Sequence, residues 1–231
     1  MEKKRIGFPF GVRLGLFVGV LVILVCLLLA DVSRTEGIFR CWLGKYSRAV
    51  KDLSVPSLGS GTSVVAVQRN FHVVAPGIWR SAQPDPESLR RLKSYGLKSI
   101  VNLRLDGEAE PWENKWAEGA SVHYFPFPLS ASSVVPAKTV DDILSILSDP
   151  KNQPVLVHCY AGKDRAGMII AAYKLANTGW SFRDIYQEMK MYGFNEKYLP
   201  MLATLRLWSV AHGKSEMARE IALNEKKLTG K

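Results

Sequence analysis

From residue 71 onward, short apolar segments alternate along the chain with longer segments in which apolar residues recur at helical spacing. The strand-like segments are FHVVAPGIWRSAQ, KSIVNLR, VHYFPF and PVLVHC, which are rich in β-branched and aromatic residues. The last of them is continuously apolar, as expected of a strand that is buried on both faces. This pattern predicts a central sheet in which PVLVHC lies well inside.

Helical periodicity occupies the intervening and following segments. They are DPESLRRLKSYG, EPWENKWAEGA, AKTVDDILSILSD, RAGMIIAAYKLANTG, SFRDIYQEMKMYG and EKYLPMLATLRLWSVAHG. In AKTVDDILSILSD, for example, Val140, Ile143, Leu144 and Ile146 can share one face of a helix. Strands that alternate with helices predict an α/β fold, here a single domain with a mainly parallel central sheet flanked by helices.

The N-terminal part has a different pattern, because Leu14–Ala30 contains no charged residue. With the FPFGV segment upstream of Arg13, this run can cross a bilayer core of about 30 Å if Arg13 snorkels toward the headgroups. We therefore predict one N-terminal transmembrane helix. A cleaved signal peptide is the alternative, since MEKKR is a basic opening, but the apolar run is longer than such peptides usually have.

These patterns divide the chain into four parts. Residues 1–30 form the basic segment and membrane anchor, and residues 31–62, with Pro, Gly and Ser near their end, form a juxtamembrane linker. Residues 63–212 form the α/β domain. Residues 213–231 are predicted to be a charged tail that could form a short helix.

The net charge of +10 is unevenly distributed, since residues 1–51 hold nine Lys or Arg against three acids. This excess flanks the predicted span, where anionic headgroups attract it, and the membrane is therefore an expected partner. No segment resembles a basic recognition helix, so nucleic acid is not an expected partner. The basic residues before the span favour a cytoplasmic N-terminus and an extracytoplasmic domain, which would be periplasmic in a bacterium. The basic residues after the span oppose this, so the preference is slight.

The segment VLVHCYAGKDRAG contains the candidate chemistry. Between the buried strand and the following helix, backbone N–H groups of the loop and of the first helical turn can converge on an anion. Gly162 permits a turn that other residues avoid, and Gly167 would allow the helix to pack closely on the sheet. Arg165 can add a planar fork for two phosphate oxygens.

Cys159 lies beside the same N–H groups, helix N-terminus and Arg165, which favour its thiolate form. The loop is therefore suited to nucleophilic attack on phosphorus. A nucleotide-binding P-loop is excluded, because Val157 and Asp164 occupy positions where it needs Gly and Ser or Thr. The segment also resembles the loop of sulfur-transfer enzymes, but that loop is one residue shorter than the six-residue step from Cys159 to Arg165. A buried structural cysteine beside a surface arginine remains the alternative without chemistry.

The pattern His-Cys-x-x-Gly-x-x-Arg resembles the signature of cysteine-dependent protein tyrosine and dual-specificity phosphatases. GIWRSAQP and SIVNLR are similar to segments of the compact bacterial and atypical dual-specificity branch, and the resemblance extends from about Val74 to Trp208. It implies that Cys159 forms a phosphocysteine and that Arg165 clamps the phosphate. It also implies that His158 orients the site and that Tyr160, Ala161, Gly162, Lys163 and Asp164 form the binding loop, with Ala166 and Gly167 following.

Two positions depart from the family pattern. The upstream segment that usually holds a general-acid Asp reads FPFPLSASSVVPAK, without a carboxylate. Asp164 is the candidate acid, because AGKDR resembles the Gly-Lys-Asp-Arg loop of bacterial phosphatases that act on phosphotyrosine and phosphoinositides; Asp141 and Asp142 are fallbacks. Ala166 replaces the usual Ser or Thr, whose hydroxyl supports hydrolysis of the intermediate.

The predicted function is a cysteine-dependent phosphatase acting on phosphorylated protein, as a protein tyrosine or dual-specificity enzyme. A phosphoinositide or phospholipid substrate is the alternative, because Lys163 could contact a second phosphate, although it could equally be a solvated surface residue. Ala166 keeps open a membrane-tethered pseudophosphatase that binds phosphate without turnover. The three cysteines and four scattered histidines form no local metal pattern, so no metal or other cofactor is expected.

Overall fold

One five-stranded sheet lies at the centre of the computed structural model, which describes residues 69–230. The strands are β1 (His72–Ala75), β2 (Ile78–Ser81), β3 (Ser99–Asn102), β4 (His123–Pro126) and β5 (Val155–His158). Their order across the sheet is β1-β2-β5-β3-β4, and every neighbouring pair is parallel except β1 and β2. The prediction of a mainly parallel sheet is confirmed.

The segment FHVVAPGIWRSAQ differs from the single strand that its composition suggests. It forms a hairpin, in which β1 and β2 are antiparallel and Pro76 and Gly77 make the turn. Gly77 has a φ of +72°, a left-handed conformation that glycine adopts without strain. The hairpin places β2 beside β5, which therefore has a parallel neighbour on each side.

Seven α-helices pack around this sheet in the described residues. They are α1 (Pro86–Ser94), α2 (Pro111–Gly119), α3 (Ala137–Ser148), α4 (Arg165–Asn177), α5 (Phe182–Met191), α6 (Leu199–Ala211) and α7 (Ser215–Thr229). Local sequence sets several of their starts. The Asp85 side chain accepts a hydrogen bond from the Ser88 N–H at the start of α1, and Ser181 does the same for Asp184 at the start of α5.

Two apolar clusters lie on opposite faces of the sheet, because successive side chains of a strand point to opposite sides. Val155 and Val157 of β5 belong to the larger cluster, which includes residues of α3, α4, α5 and α6. Leu156 belongs to the smaller one, beneath α1 and α2. The sheet is therefore covered by helices on both faces, as predicted.

Helix α3 buries a slightly different face from the one predicted. Val140, Ile143, Leu144 and Leu147 are buried, whereas Ile146 is only half-buried. Positions i, i+3, i+4 and i+7 share one face of a helix, and Leu147 completes that set better than Ile146 does. The error is one residue in the last turn.

The predicted localisation in a membrane is contradicted. No helix in the part of the chain that the structure describes is long and apolar enough to cross a bilayer. The longest, α7, has 15 residues and extends only about 22 Å at ~1.5 Å per residue, short of the roughly 30 Å of a bilayer core. The segment on which the expectation of an anchor rested, residues 14–30, and the expected linker, residues 31–62, lie outside the described residues.

The C-terminal residues expected to be a charged tail include helix α7. Ile221 of this helix is fully buried in the larger apolar cluster. Glu225 of α7 accepts a hydrogen bond of 2.7 Å from Nε of Arg206 in α6. This segment is thus a helix that packs on α6.

Candidate active site

The candidate site is built where β5 ends and α4 begins. All four residues of β5 are buried, and Cys159, which follows them, is 3% exposed. Residues 160–164 form a loop, after which Arg165 opens the 13-residue helix α4. The carboxyl ends of β2, β5 and β3, three of the four parallel strands, face this loop, and such an edge of an α/β sheet is where ligands commonly bind.

Gly162 is required in this loop for two separate reasons. Its φ is +68°, which side chains with a Cβ rarely adopt. A Cβ at this position would also lie 2.5 Å from backbone atoms of Ser81 and Ala82 in the segment that ends β2. The loop therefore lies directly against β2, and only glycine fits there.

The Arg165 side chain is almost buried and is held from one end. Its Nη1 donates to Oε2 of Glu108 at 2.8 Å and to the carbonyls of Leu129 and Leu103 at 3.1 and 3.4 Å. In an arginine, Nε and Nη2 form the side edge that makes two parallel hydrogen bonds to an oxyanion. The contacts made by Nη1 thus orient the guanidinium and do not involve its two-pronged Nε and Nη2 edge.

Asp164 lies at the junction of loop and helix, half-buried. Its Oδ1 accepts a hydrogen bond of 2.8 Å from the Asn195 N–H in the loop between α5 and α6. Burial raises the pKa of the Asp164 carboxyl, whereas the Asn195 N–H and the nearby cations lower it to a lesser extent. A carboxyl whose pKa is raised keeps its proton at higher pH, which suits an acid.

His158 is fully buried beneath the loop. Its Nε2 lies 3.0 Å from Oε1 of Glu113, which is also fully buried, although the contact lacks the alignment of a hydrogen bond. The other carboxylate oxygen of Glu113 accepts from Nδ2 of Asn102 at 2.9 Å. His158 therefore contacts a buried polar group and not the solvent-facing side of the loop, as suits a residue that orients others.

The remaining predicted loop residues differ in exposure. Tyr160 is 60% exposed, and the guanidinium of Arg104 lies 5.5 Å from the centre of its ring. Lys163 is exposed, and its stem passes beside Gly193, where an added Cβ would be 3.1 Å away. Ala161 is half-buried. These side chains line the outer part of the loop.

Ala166 and Gly167 are buried in the first turn of α4. A Cβ added to Gly167 would lie 3.5 Å from Nη2 of Arg80, an ordinary van der Waals contact. Close packing of helix on sheet therefore does not require glycine at this position, contrary to the expectation from sequence. Ala166 belongs to the larger apolar cluster, so a hydroxyl there would be enclosed by the helix and its neighbours.

The two fallback acids are engaged elsewhere. Oδ1 of Asp141 accepts from Nε1 of Trp208 at 2.7 Å and lies 3.1 Å from Nε2 of His212. Asp142 is exposed and pairs with Lys138 one turn away on α3. Among the residues that the structure describes, no three His, Cys, Asp or Glu side chains cluster in a way that could hold a metal ion.

Three residues near the loop were missed in the sequence. Arg80 and Asn70 donate hydrogen bonds to loop carbonyls, and Glu108 pairs with Arg165. For Arg80 a signal existed, because a charged residue inside a buried strand requires a partner. Asn70 and Glu108 lie in irregular segments, where sequence spacing does not indicate a spatial neighbour.

Comparison with protein families shows to which family this chain belongs. The family model described as tyrosine phosphatase family matches residues 65–207, which include β1 to β5 and the loop. The chain belongs to the tyrosine phosphatase family. The resemblance predicted from the Cys159 to Arg165 spacing is thereby confirmed, and the match covers almost the same residues as the predicted domain.

Individual phosphatases are similar to this chain over the same region. Inositol diphosphatase DSP3 of Arabidopsis thaliana is 33% identical over 130 residues, covering 54% of this chain and 63% of that protein. Dual specificity protein phosphatase TpbA of Pseudomonas aeruginosa is 27% identical over 128 residues, covering 55% of this chain and 56% of that protein. The match thus spans less than two thirds of either relative.

Solved structures of phosphatases share the fold. The crystal structure of P. aeruginosa TpbA has a TM-score of 0.55 and 25% identity, covering 70% of this chain and 98% of that one. The core catalytic domain of the PP-IP phosphatase SIW14 from S. cerevisiae has a TM-score of 0.55 and 24% identity, covering 68% and 93%. At 24% identity the second likeness shows the fold alone.

Proposed function

We propose that the protein hydrolyses phosphomonoesters through a phosphocysteine on Cys159. The observation that carries this proposal is the single short loop that joins buried Cys159 to Arg165 at the N-terminus of α4. A thiol at the base of such a loop faces the amides and the guanidinium that would hold a phosphoryl group. Membership of the tyrosine phosphatase family supports the same chemistry.

The proposed reaction has two steps. In the first, the Cys159 thiolate attacks phosphorus, the S–P bond forms, and the bond from phosphorus to the ester oxygen breaks while Asp164 donates its proton to that oxygen. In the second, Asp164 removes a proton from water, the water oxygen attacks phosphorus, and the thiolate leaves. The second step restores the Cys159 thiolate and the protonated Asp164 that the first step uses, so no cofactor is needed.

Stabilisation of the transferring phosphoryl group is assigned to Arg165 and to the loop amides. The Nε and Nη2 edge of Arg165 would bind two of the phosphoryl oxygens, and its orientation is supported by the three contacts of Nη1. The positive end of the α4 dipole adds to the same field. These donors are held before the substrate arrives, which is what makes them effective in the transition state.

The proposed substrate is a phosphorylated protein, as for a protein tyrosine or dual-specificity phosphatase. Cys159 is almost buried whereas Tyr160 is exposed beside it, so an aryl phosphate could extend to the thiol while its ring meets the Tyr160 ring. The relative named as a dual specificity protein phosphatase is consistent with this class.

A phosphorylated inositol is the second candidate substrate. Lys163 and Arg104 place two further cations around the loop, one exposed and one beside Tyr160. A ring that carries several phosphates could use them in addition to the loop. The relative named as an inositol diphosphatase favours this alternative.

Phosphate release by the full-length protein tests the proposal. The substrates are phosphotyrosine peptides, phosphoserine peptides, phosphoinositides and soluble inositol polyphosphates, and Cys159→Ser is the control. We expect phosphotyrosine to be hydrolysed fastest and the control to retain phosphate binding without turnover, because amides and Arg165 make the anion site. Turnover above a few per cent in Cys159→Ser would show that another group is the nucleophile.

The same assay distinguishes the alternatives. Faster hydrolysis of an inositol polyphosphate, with a loss on Lys163→Ala that phosphotyrosine does not share, would identify the second candidate substrate. A protein that binds phosphate but releases it from none of these esters would be a phosphate-binding pseudophosphatase. Arg165→Lys should abolish most activity toward either substrate class, since an ammonium cannot make the two-pronged contact.

A further inference from the structure

Arg80 is a buried cation on the strand next to β5. It is 1% exposed, and its partner in the parallel register is Val157 of β5. Registered residues of neighbouring strands point to the same face of a sheet, and Val157 and Cys159 share a face because they are two residues apart. Arg80 therefore extends on the face of the sheet where the loop after Cys159 begins.

The Arg80 guanidinium contacts the back of this loop. Nη2 donates to the carbonyl of Gly162 at 2.5 Å and lies 3.5 Å from the carbonyl of Lys163. Asn70 adds two bonds from Nδ2, to the carbonyls of Ala161 at 3.1 Å and of Gly162 at 3.0 Å. The carbonyls of three consecutive loop residues are thus bound by two side chains from outside the loop.

These bonds have a consequence for the opposite side of the loop. In a trans peptide the C=O of one residue and the N–H of the next point in opposite directions. When the carbonyls of residues 161–163 are turned toward Arg80 and Asn70, the N–H groups of residues 162–164 are turned away from them. Those are the amides that the proposed phosphate site requires.

The burial of Arg80 is energetically unfavourable by itself. Desolvation lowers the pKa of its guanidinium, and nearby groups, including Glu188, Cys159 and Asp164, oppose that effect. A cation is kept inside a protein only where hydrogen bonds and negative charge compensate for lost hydration. Here the hydrogen bonds are to the loop carbonyls, and an anion bound by the loop would add negative charge nearby.

We propose that Arg80 and Asn70 are positioning residues of the phosphate site, which hold the loop carbonyls away from the site so that the loop amides face the bound phosphoryl group. Neither residue touches the substrate in this role. The inference rests on the proposed function, because it takes the loop from Cys159 to Arg165 to be an anion site. It adds two residues that the loop sequence does not contain.

The test is the dissociation constant of inorganic phosphate, measured by calorimetry on the full-length protein. Arg80→Met keeps the length of the side chain but removes its donors, and we expect phosphate binding to weaken at least tenfold. Asn70→Gly suits the backbone at this position, where φ is +56°, and we expect about threefold weakening. Arg80→Lys should recover part of the loss, since an ammonium can donate to one carbonyl.

Leu147→Ala is the matched control, because Leu147 is fully buried on α3 and its loss destabilises the core without removing a hydrogen bond to the loop. It should lower the melting temperature and leave phosphate affinity within twofold. A folded Arg80→Met that binds phosphate as the wild type does would overturn the proposal. If Arg80→Met does not fold, Asn70→Gly decides, and unchanged affinity in that variant overturns it.

Failure of this inference is distinguishable from failure of the proposed function. Phosphate affinity does not depend on turnover, so in a protein that hydrolyses no ester the reaction is refuted, while weaker phosphate binding by Arg80→Met and Asn70→Gly still supports their positioning roles. Conversely, hydrolysis by the wild type with unchanged affinity in both variants would refute only these roles. A wild type that binds no phosphate would overturn the inference, and one that also hydrolyses no ester would overturn both.

Discussion

Oε2 of Glu108 lies 2.8 Å from Nη1 of Arg165, so a surface carboxylate is paired with the predicted phosphate clamp. Glu108 is 41% exposed on its side chain, and Arg165 also donates to the carbonyls of Leu103 and Leu129. Removing the Glu108 charge should therefore leave the guanidinium oriented. It should also remove a negative charge that repels a phosphate dianion at the same site.

The prediction for Glu108→Gln is tighter substrate binding with an unchanged chemical step. A partly exposed charge of this kind is worth up to about 1 kcal/mol, so we expect KM for an aryl phosphate to fall about two- to fivefold while kcat stays within twofold. Raising the salt concentration screens the Glu108 charge and should therefore reduce the difference in KM between wild type and Glu108→Gln. A fall in kcat of tenfold or more would instead mean that Glu108 holds Arg165 in its active orientation.

The role of Asp164 can be tested with two leaving groups. Asp164→Asn should slow hydrolysis of an alkyl phosphate, whose oxygen needs a proton, by about 10²–10⁴-fold, the usual contribution of a general acid. An aryl phosphate with a leaving group of low pKa should be affected far less. Equal slowing of both substrates would indicate that the carboxylate, bonded to the Asn195 N–H, only maintains the loop.

The pH dependence of the same reaction follows from the direction of the shift. Because burial raises the pKa of Asp164, the protonated form needed in the first step persists to higher pH than for an exposed carboxyl. For wild type with an alkyl phosphate, kcat should fall as pH rises through that pKa. Asp164→Asn should lack this alkaline decline, and kcat measured across a pH series checks it.

Ala166 offers a test of the second step. The position is fully buried, so Ser is a better replacement than Thr, because it adds one oxygen and no methyl group to a packed site. If the missing hydroxyl limits hydrolysis of the phosphocysteine, Ala166→Ser should raise steady-state turnover and reduce the pre-steady-state burst. An unchanged burst amplitude with unchanged turnover would show that the hydroxyl is not limiting.

Gly162 should be intolerant of any side chain. Its left-handed backbone alone imposes about 1–3 kcal/mol of strain on Ala, and the Cβ would also meet Ser81 and Ala82 backbone atoms at 2.5 Å. Gly162→Ala should lower the free energy of unfolding by more than that strain and abolish phosphate binding. Gly179→Ala, where no neighbour lies within 4 Å, is the matched control and should retain both.

Several features of this protein were determined by the sequence alone. The alternation of strand-like and helical segments predicted the α/β fold, because period-2 and period-3.6 patterns are local properties of the chain. The loop from Cys159 to Arg165 was also evident, since its residues are consecutive and their spacing is itself the motif. The family could be predicted for the same reason, and the match over residues 65–207 confirmed it.

The tertiary structure decided which distant residues support that loop. Arg80 lies 82 positions before Gly162 in the chain, and Glu108 lies 57 before Arg165. Such pairs arise because parallel strands β2, β3 and β5 bring their carboxyl ends to one edge of the sheet, and strand order is not written in local periodicity. The packing of Ile221 likewise depends on long-range contacts, which outweigh local composition once a side chain can be buried.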